Sequence, residues 1–473
     1  MMERHALEFV PENERHGSAR SLFAVWFAAN TQITTIVTGA LAVVVGLSLP
    51  WACLAVLLGN LVGGVFMALH SAQGPKLGVP QMIQSRAQFG FLGAVLPLLL
   101  VIAMYLGFFA SSAALGGSAL SAWTGMPSGG GIVLIAVVCT VLAVIGYRLI
   151  HQVERWISVA GGAVFLYLSY RLLTGAHPAG LLHAGPFQPG TFLLALSIAG
   201  TWQITYAPYV ADYSRYLPTR TSTAAPFWWT YAGSVVAGSW MMCFGCLAAA
   251  ISPKGFEADP VAYVVHLGPA SASAVFFLVV VLGVLAINVL NLYGAFMSAT
   301  TTVSALLRLR VGGVSRAVFI VCAAAAGSAL ALLGRDGFLT TFENFILLLT
   351  YFLVPWTSIN LVDFYALRKE RYDVPALFDP RGVYGRVNLR ALAAYAIGVL
   401  VEVPFVSTSF YTGPMVARLG GADVSWLLGL AVSAVLYYVL LRGRVGLPGD
   451  GDAPAPGAGA AGGGEEPATT VAR

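Results

Sequence analysis

Between Gly200 and Tyr216 the chain reads GTWQITYAPYVADYSRY, and its residue types are those of binding rather than bond breaking. Trp202 and Tyr206 carry aromatic faces, Gln203 an amide that both donates and accepts, and Thr201 and Thr205 hydroxyls. Gly200 permits close approach, and Pro208 cannot continue the helix that precedes it. The stretch ends an otherwise apolar run, where water is absent. Broken backbone at membrane depth is tolerated only where it is buried in protein or lines a wet cavity, so this interruption is a candidate binding site.

Other polar groups lie at similar depth. Asn30 and Gln32 sit in WFAANTQITT, and Asn288 and Asn291 precede Tyr293. Each needs a hydrogen-bond partner, from a ligand or from a neighbouring helix. Glu343 in FENF and Glu402 further on are carboxyls inside apolar stretches, which makes both functional candidates. Catalysis is a poor fit, because only His70 among the seven histidines is placed within a span. Cys53, Cys139, Cys243, Cys246 and Cys322 all fall in apolar runs and read as small buried hydrophobes, with no metal or disulfide chemistry expected.

The elements that must hold these groups follow from composition. Of 473 residues 58% are hydrophobic and 10% charged, with a mean hydropathy of +0.80, which fits an integral membrane protein. The polar first 20 residues have no apolar signal core and are expected to stay in the cytoplasm. Apolar segments long enough to span a bilayer run from 22 to 47, 51 to 73, 92 to 120, 131 to 149, 155 to 174, 190 to 211, 226 to 251, 271 to 303, 315 to 334, 338 to 361, 391 to 410 and 424 to 441. With twelve such helices and the amino terminus inside, every Lys and Arg except Arg171, Lys254, Arg335 and Arg418 falls on the inner side. The net charge of +5 then matches anionic inner-leaflet lipid, with no nucleic acid as partner. The expected location is the plasma or inner membrane, with both termini cytoplasmic.

The organisation expected is a cytoplasmic segment at 1–20, a five-helix unit at 21–174, a second at 190–361, two accessory helices at 391–441 and a disordered Gly/Ala/Pro tail at 446–473. The first helix of each unit carries the mid-membrane polar residues. Five helices per unit force the second to be inverted relative to the first, and paired interruptions in inverted halves point to the substrate site of a secondary transporter.

The chain resembles the nucleobase:cation symporter family 1, in its purine and cytosine permease branch. The resemblance rests on WFAAN (Trp26 to Asn30), GPKLGVPQMIQSRAQFG (Gly74 to Gly90), APYVADYSRYLP (Ala207 to Pro218), the pair Asn288 and Asn291, and the run FENFILLLTYFLVPWTSINLVDFYALRKERYDV from Phe342 to Val374. It implies an all-α leucine-transporter fold, with segments one and six unwound and alternating access by rocking of a bundle against a scaffold. It also implies import of cytosine or a purine with a cation; hydantoin, allantoin, uracil or a vitamin base is the alternative cargo. A channel or membrane enzyme is the distant alternative. No cofactor is expected, and a monomer in the lipid bilayer is the working assembly.

The same resemblance implies a sandwich of the heterocycle between an aromatic of segment three, here Phe108 with Tyr105 one turn before it, and the segment-six break. Trp202 would give a second face, Gln203 would read the edge of the base, and Thr205 and freed backbone groups near Gly200 and Thr201 would add contacts. Asn30 and Asn288 complete the implied set, with Asn291 bonding another helix. Sodium-coupled relatives place two hydroxyl residues just before the position of Asn288, where this chain has Ala286 and Ile287. Neither offers a side-chain oxygen to a hard cation, so H+ is favoured over Na+ as coupling ion, with Glu343 as the proton carrier. Asp212 with Arg215 and Arg220, and Asp363 with Arg368, read as inner-rim caps and ion pairs.

Overall fold

The computed structural model describes residues 9–145, 147–175, 180–307 and 313–445. The tail at 446–473, the first eight residues, and Arg308 and Arg310 lie outside them. Described elements are helical, apart from an isolated bridge between Ser407 and Thr412. In chain order they are α1 (Ser21–Asn30), α2 (Ile33–Val44), α3 (Leu49–Ser71), α4 (Gly74–Leu77), α5 (Gln81–Phe89), α6 (Val95–Thr124), α7 (Ser128–Ile145), α8 (Tyr147–Gly175), α9 (Pro189–Ile204) and α10 (Ala207–Ser214). There follow α11 (Ala224–Ile251), α12 (Pro253–Ala258), α13 (Pro260–His266), α14 (Ser273–Leu307), α15 (Gly313–Gly334), α16 (Phe338–Leu361), α17 (Leu389–Glu402), α18 (Pro414–Arg418) and α19 (Ser425–Leu441). Among the described residues seven helices are each long and apolar enough to cross a membrane, and the bent pair α1–α2 makes an eighth span. The remaining predicted segments are helical too, but α9, α17 and α19 are shorter and α8 begins among charged residues.

Packing follows the inverted two-fold relation. α3 lies along α9 while its counterpart α11 lies along α1 and α2; α6 packs on α14, its own counterpart; and the α6–α15 contact is matched by α14 on α7. Exchanging the two five-helix sets maps the α6–α14 pair onto itself and each of the other pairs onto its partner. α17 and α19 pack on each other and on α16, outside this pattern.

Two boundaries and the burial of the cysteines differ from expectation. The eleventh segment leaves the α-helix at Glu402, makes one 3-10 turn at Val403–Phe405 and is extended at Val406 instead of continuing to 410: Pro404 has no N–H to give the carbonyl of Leu400, which accepts from the Val403 N–H instead. The sixth is interrupted at Thr205 and Tyr206, not at Gly200 and Thr201. Pro208 has no N–H to give the carbonyl of Ile204 and would clash with it, so α9 stops at Ile204 and Pro208 joins the first turn of α10. Finally, the cysteines are all free, but Cys322 is exposed on the outer surface of its helix and only Cys139 and Cys246 are fully buried.

Candidate functional site

The break in the first span is closed by side chains that supplement backbone donors at the end of α1 and, at Ala29, replace one. α1 ends at Asn30, and Gln32 is fully extended (φ −149°, ψ 161°) before α2 restarts, with a bend of 60° between the two halves. Of the last carbonyls of α1, those of Phe27 and Ala28 accept from the Thr31 N–H (3.1 and 3.0 Å) and that of Asn30 from the Gln32 N–H (3.0 Å), whereas that of Ala29 meets no backbone donor among the described residues. The Asn30 amide donates to Trp26 O (2.9 Å), the Thr31 hydroxyl to Phe27 O (2.8 Å) and the Gln32 amide to Ala29 O (2.8 Å). The sequence NTQ thus serves as its own cap, and the restart of α2 points its N-terminus at the middle of the protein.

Between this break and the one at Thr205–Tyr206 lies a cleft of about 310 Å³, open mouth included, lined by Gln32, Thr34, Phe108, Ser112, Trp202, Thr205, Tyr206, Tyr209, Ile287 and Asn291. No lining residue is ionisable at neutral pH. The lining combines aromatic faces with uncharged hydrogen-bonding groups, and the buried Thr34 hydroxyl has no partner among the described residues. Such a lining suits a neutral ligand with a flat face and a polar edge.

Of the residues expected here, Phe108, Trp202 and Thr205 line the cleft. Trp202 is held in place: its indole N–H donates to Asn30 Oδ1 at 2.8 Å, and its ring is flanked edge-on by Tyr206. Phe108 meets both Trp202 and Phe345 edge-to-face. The two cleft rings are therefore perpendicular, not the parallel walls of a sandwich. The Thr205 hydroxyl donates back to Trp202 O at 2.7 Å, which leaves its oxygen lone pairs toward the cleft.

The other expected residues sit elsewhere. Gln203 points away from the cleft, fully buried, with its amide donating to Asn60 Oδ1 (2.6 Å) and its carbonyl accepting from the Ser234 hydroxyl. Residues 202 and 203 lie about 100° apart around a helix, so one helix cannot aim both side chains at one ligand. Asn30 supports the site from behind, bonding Trp202 and Ser234. Gly200 stays helical and serves packing: a Cβ on Gly63 of α3 would overlap its carbonyl oxygen. Asn288 is fully buried and donates to Phe109 O (3.3 Å), while Asn291 lines the cleft and donates to Asn288 Oδ1 (3.3 Å). Asn291, and not Asn288, therefore faces the cleft. Tyr105 lies one turn beyond the cleft, with its ring 5.7 Å from that of Tyr209.

Glu343 is half-exposed near the start of α16, with no hydrogen bond or ion pair among the described residues; Arg335 pairs with Asp336 instead (3.9 Å). Asp363 and Arg368 form the expected ion pair at 3.0 Å, and Asp212 accepts from the backbone N–H of Gln81 at 2.7 Å. Thr34, Ser112 and Tyr209 were not among the expected site residues. Ser112 is legible after the fact, one helical turn after Phe108 on the same face.

The model of a family described as permeases for cytosine/purines, uracil, thiamine and allantoin matches residues 9–429. The chain belongs to this family. The permease is 47% identical over 445 residues to the putative purine-cytosine permease YxlA of Bacillus subtilis, covering 94% of this chain and 97% of the relative. It is 28% identical to the purine-cytosine permease fcyB of Emericella nidulans, covering 93% and 88%. Among solved structures, the nucleobase-cation-symport-1 family transporter Mhp1, closed with bromovinylhydantoin bound, superposes with a TM-score of 0.71 at 20% identity, covering 90% of this chain and 92% of that one. The permease is therefore a multi-pass membrane transporter of the leucine-transporter fold and not an enzyme.

Proposed function

We propose that the permease imports a neutral nucleobase, cytosine or a purine, together with a proton, by alternating access across the plasma or inner membrane with both termini cytoplasmic. The observation that carries this reading is the cleft between the two helix breaks, whose lining joins the rings of Phe108, Trp202, Tyr206 and Tyr209 to the uncharged Gln32, Thr34, Ser112 and Asn291. A base offers a π-face for the rings and alternating donors and acceptors along its edge for the amides and hydroxyls. The printed names of the relatives support purine and cytosine as the cargo.

The sodium half of the alternative is weakened by Ala286 and Ile287. Ile287 turns an alkyl group into the cleft, and neither side chain can coordinate a hard cation. Counterflow in proteoliposomes tests the reading. Labelled cytosine or adenine should exchange against unlabelled base inside. Exchange of allantoin or hydantoin, with neither base competing, would move the cargo to another heterocycle.

A further inference from the structure

We infer that Glu402, at the end of α17, is the proton-binding site of this carrier. The inference rests on the proton-symport reading above and replaces Glu343 as the proton carrier. Glu402 is fully buried, and neither of its carboxyl oxygens has a hydrogen-bond partner among the described residues. An unpaired carboxylate in such a place carries a prohibitive desolvation penalty, whereas a protonated carboxyl is neutral. The surroundings are built around this group. On α19 the carboxyl lies against Gly429, where a Cβ would overlap Oε1. Any other residue at position 429 would fill the cradle.

The titratable groups around it are Asp423 from the loop before α19, Tyr351 of α16 and Tyr395 on its own helix, and no cation pairs with it among the described residues. Asp423 is buried but fully served: it accepts from Tyr351 OH (2.6 Å), from the backbone N–H of Ser407 (3.1 Å) and Ser425 (3.0 Å), and from the Ser425 hydroxyl. Two neighbouring carboxyls, one with four donors and one with none, divide into a carboxylate and a proton holder. The pair also reaches α9, the helix that carries Trp202. The Ser197 hydroxyl of α9 donates to Asp423 O (3.4 Å), and Thr350, beside Tyr351, shares a hydrogen bond with Thr201, beside Trp202. Loss of the proton would force α17 and α19 to rearrange around a new charge, and these contacts pass that rearrangement to the helix that carries Trp202.

Infrared spectroscopy of wild-type permease in lipid tests the site without any substrate. A carbonyl band of a protonated carboxyl should be present near neutral pH, vanish in Glu402→Gln, remain in Glu343→Gln and return in Glu402→Asp. Absence of the band in the wild type, or its persistence in Glu402→Gln, overturns the proposal. In proteoliposomes Glu402→Gln should keep base counterflow but lose accumulation driven by a pH gradient; unchanged accumulation also overturns it. If wild-type protein exchanges no base at all, the proposed cargo fails while the infrared result still decides the site.

Discussion

The indole of Trp202 stands edge-on to the ring of Phe108, with centroids 5.7 Å apart and planes at 87°. A flat ligand cannot lie parallel to both. Trp202 is pinned by Asn30, whereas Phe108 is only half-buried and its other ring contact, Phe345, is also edge-to-face. On the proposed reading, a base that stacks on Trp202 should therefore turn Phe108.

Phe108→Ala should weaken binding of cytosine or adenine by about 10- to 100-fold, since base–aromatic stacking contributes about 1–3 kcal/mol. Phe108→Trp keeps a π-face and should bind within a few-fold of wild type. Equilibrium binding of labelled base to purified protein measures both. An unchanged affinity in the alanine variant would reduce Phe108 to a filler of the closed cleft.

Gln203 and Asn291 should separate stability from affinity. Gln203→Leu strands Asn60 and Ser234 in a dry interior, at about 1–3 kcal/mol for each unsatisfied group, and should lower the melting temperature while the folded remainder binds base with nearly native affinity. Asn291→Ala should lose affinity, and some melting temperature as well because Asn288 Oδ1 then lacks its donor, so affinity is what separates the two variants. Thermal unfolding with and without base reads both effects, because a ligand of the folded state raises apparent stability. Loss of affinity in the Gln203 variant at unchanged stability would return that residue to the site.

What could be read from the chain was set by periodicity and solvation. Polar groups in an apolar run announce that something must satisfy them, and the two broken spans were legible from NTQ and from Pro208 for that reason. Which partner satisfies a given amide depends on the rotation of each helix about its axis and on the neighbour it meets. Gln203 faces Asn60 across an interface that hydropathy does not encode, and which of Asn288 and Asn291, nearly one turn apart on the same helix, faces the cleft turns on a small difference in angle. Glu402 stood out as an intramembrane carboxyl, but the glycine opposite it lies on a different helix and became visible only in the packed fold.

The coupling ion should follow from what segment eight lacks. Uptake of base into proteoliposomes should persist when Na+ is replaced by choline and collapse when a protonophore dissipates the pH gradient. Strict dependence on Na+ would mean that oxygens other than those of residues 286 and 287 complete a cation site.

The last prediction concerns the buried ion pair beyond α16. Asp363 is fully buried and accepts from Arg368 Nε (3.0 Å), Gln88 Nε2 (2.9 Å), Tyr372 OH (2.6 Å) and Tyr437 OH (2.9 Å), so one carboxylate ties the end of α16 to α5 and α19. Arg368→Leu removes the cation paired with Asp363 and leaves the charge uncompensated, a loss of about 3–5 kcal/mol for a buried pair broken on one side. It should unfold at lower temperature in detergent. Adding Asp363→Leu removes the stranded charge, so the double variant should recover part of that loss, although Gln88, Tyr372 and Tyr437 then lack their acceptor. A double variant less stable than Arg368→Leu alone would mean that the four-donor network, rather than the ion pair, holds this end of the bundle.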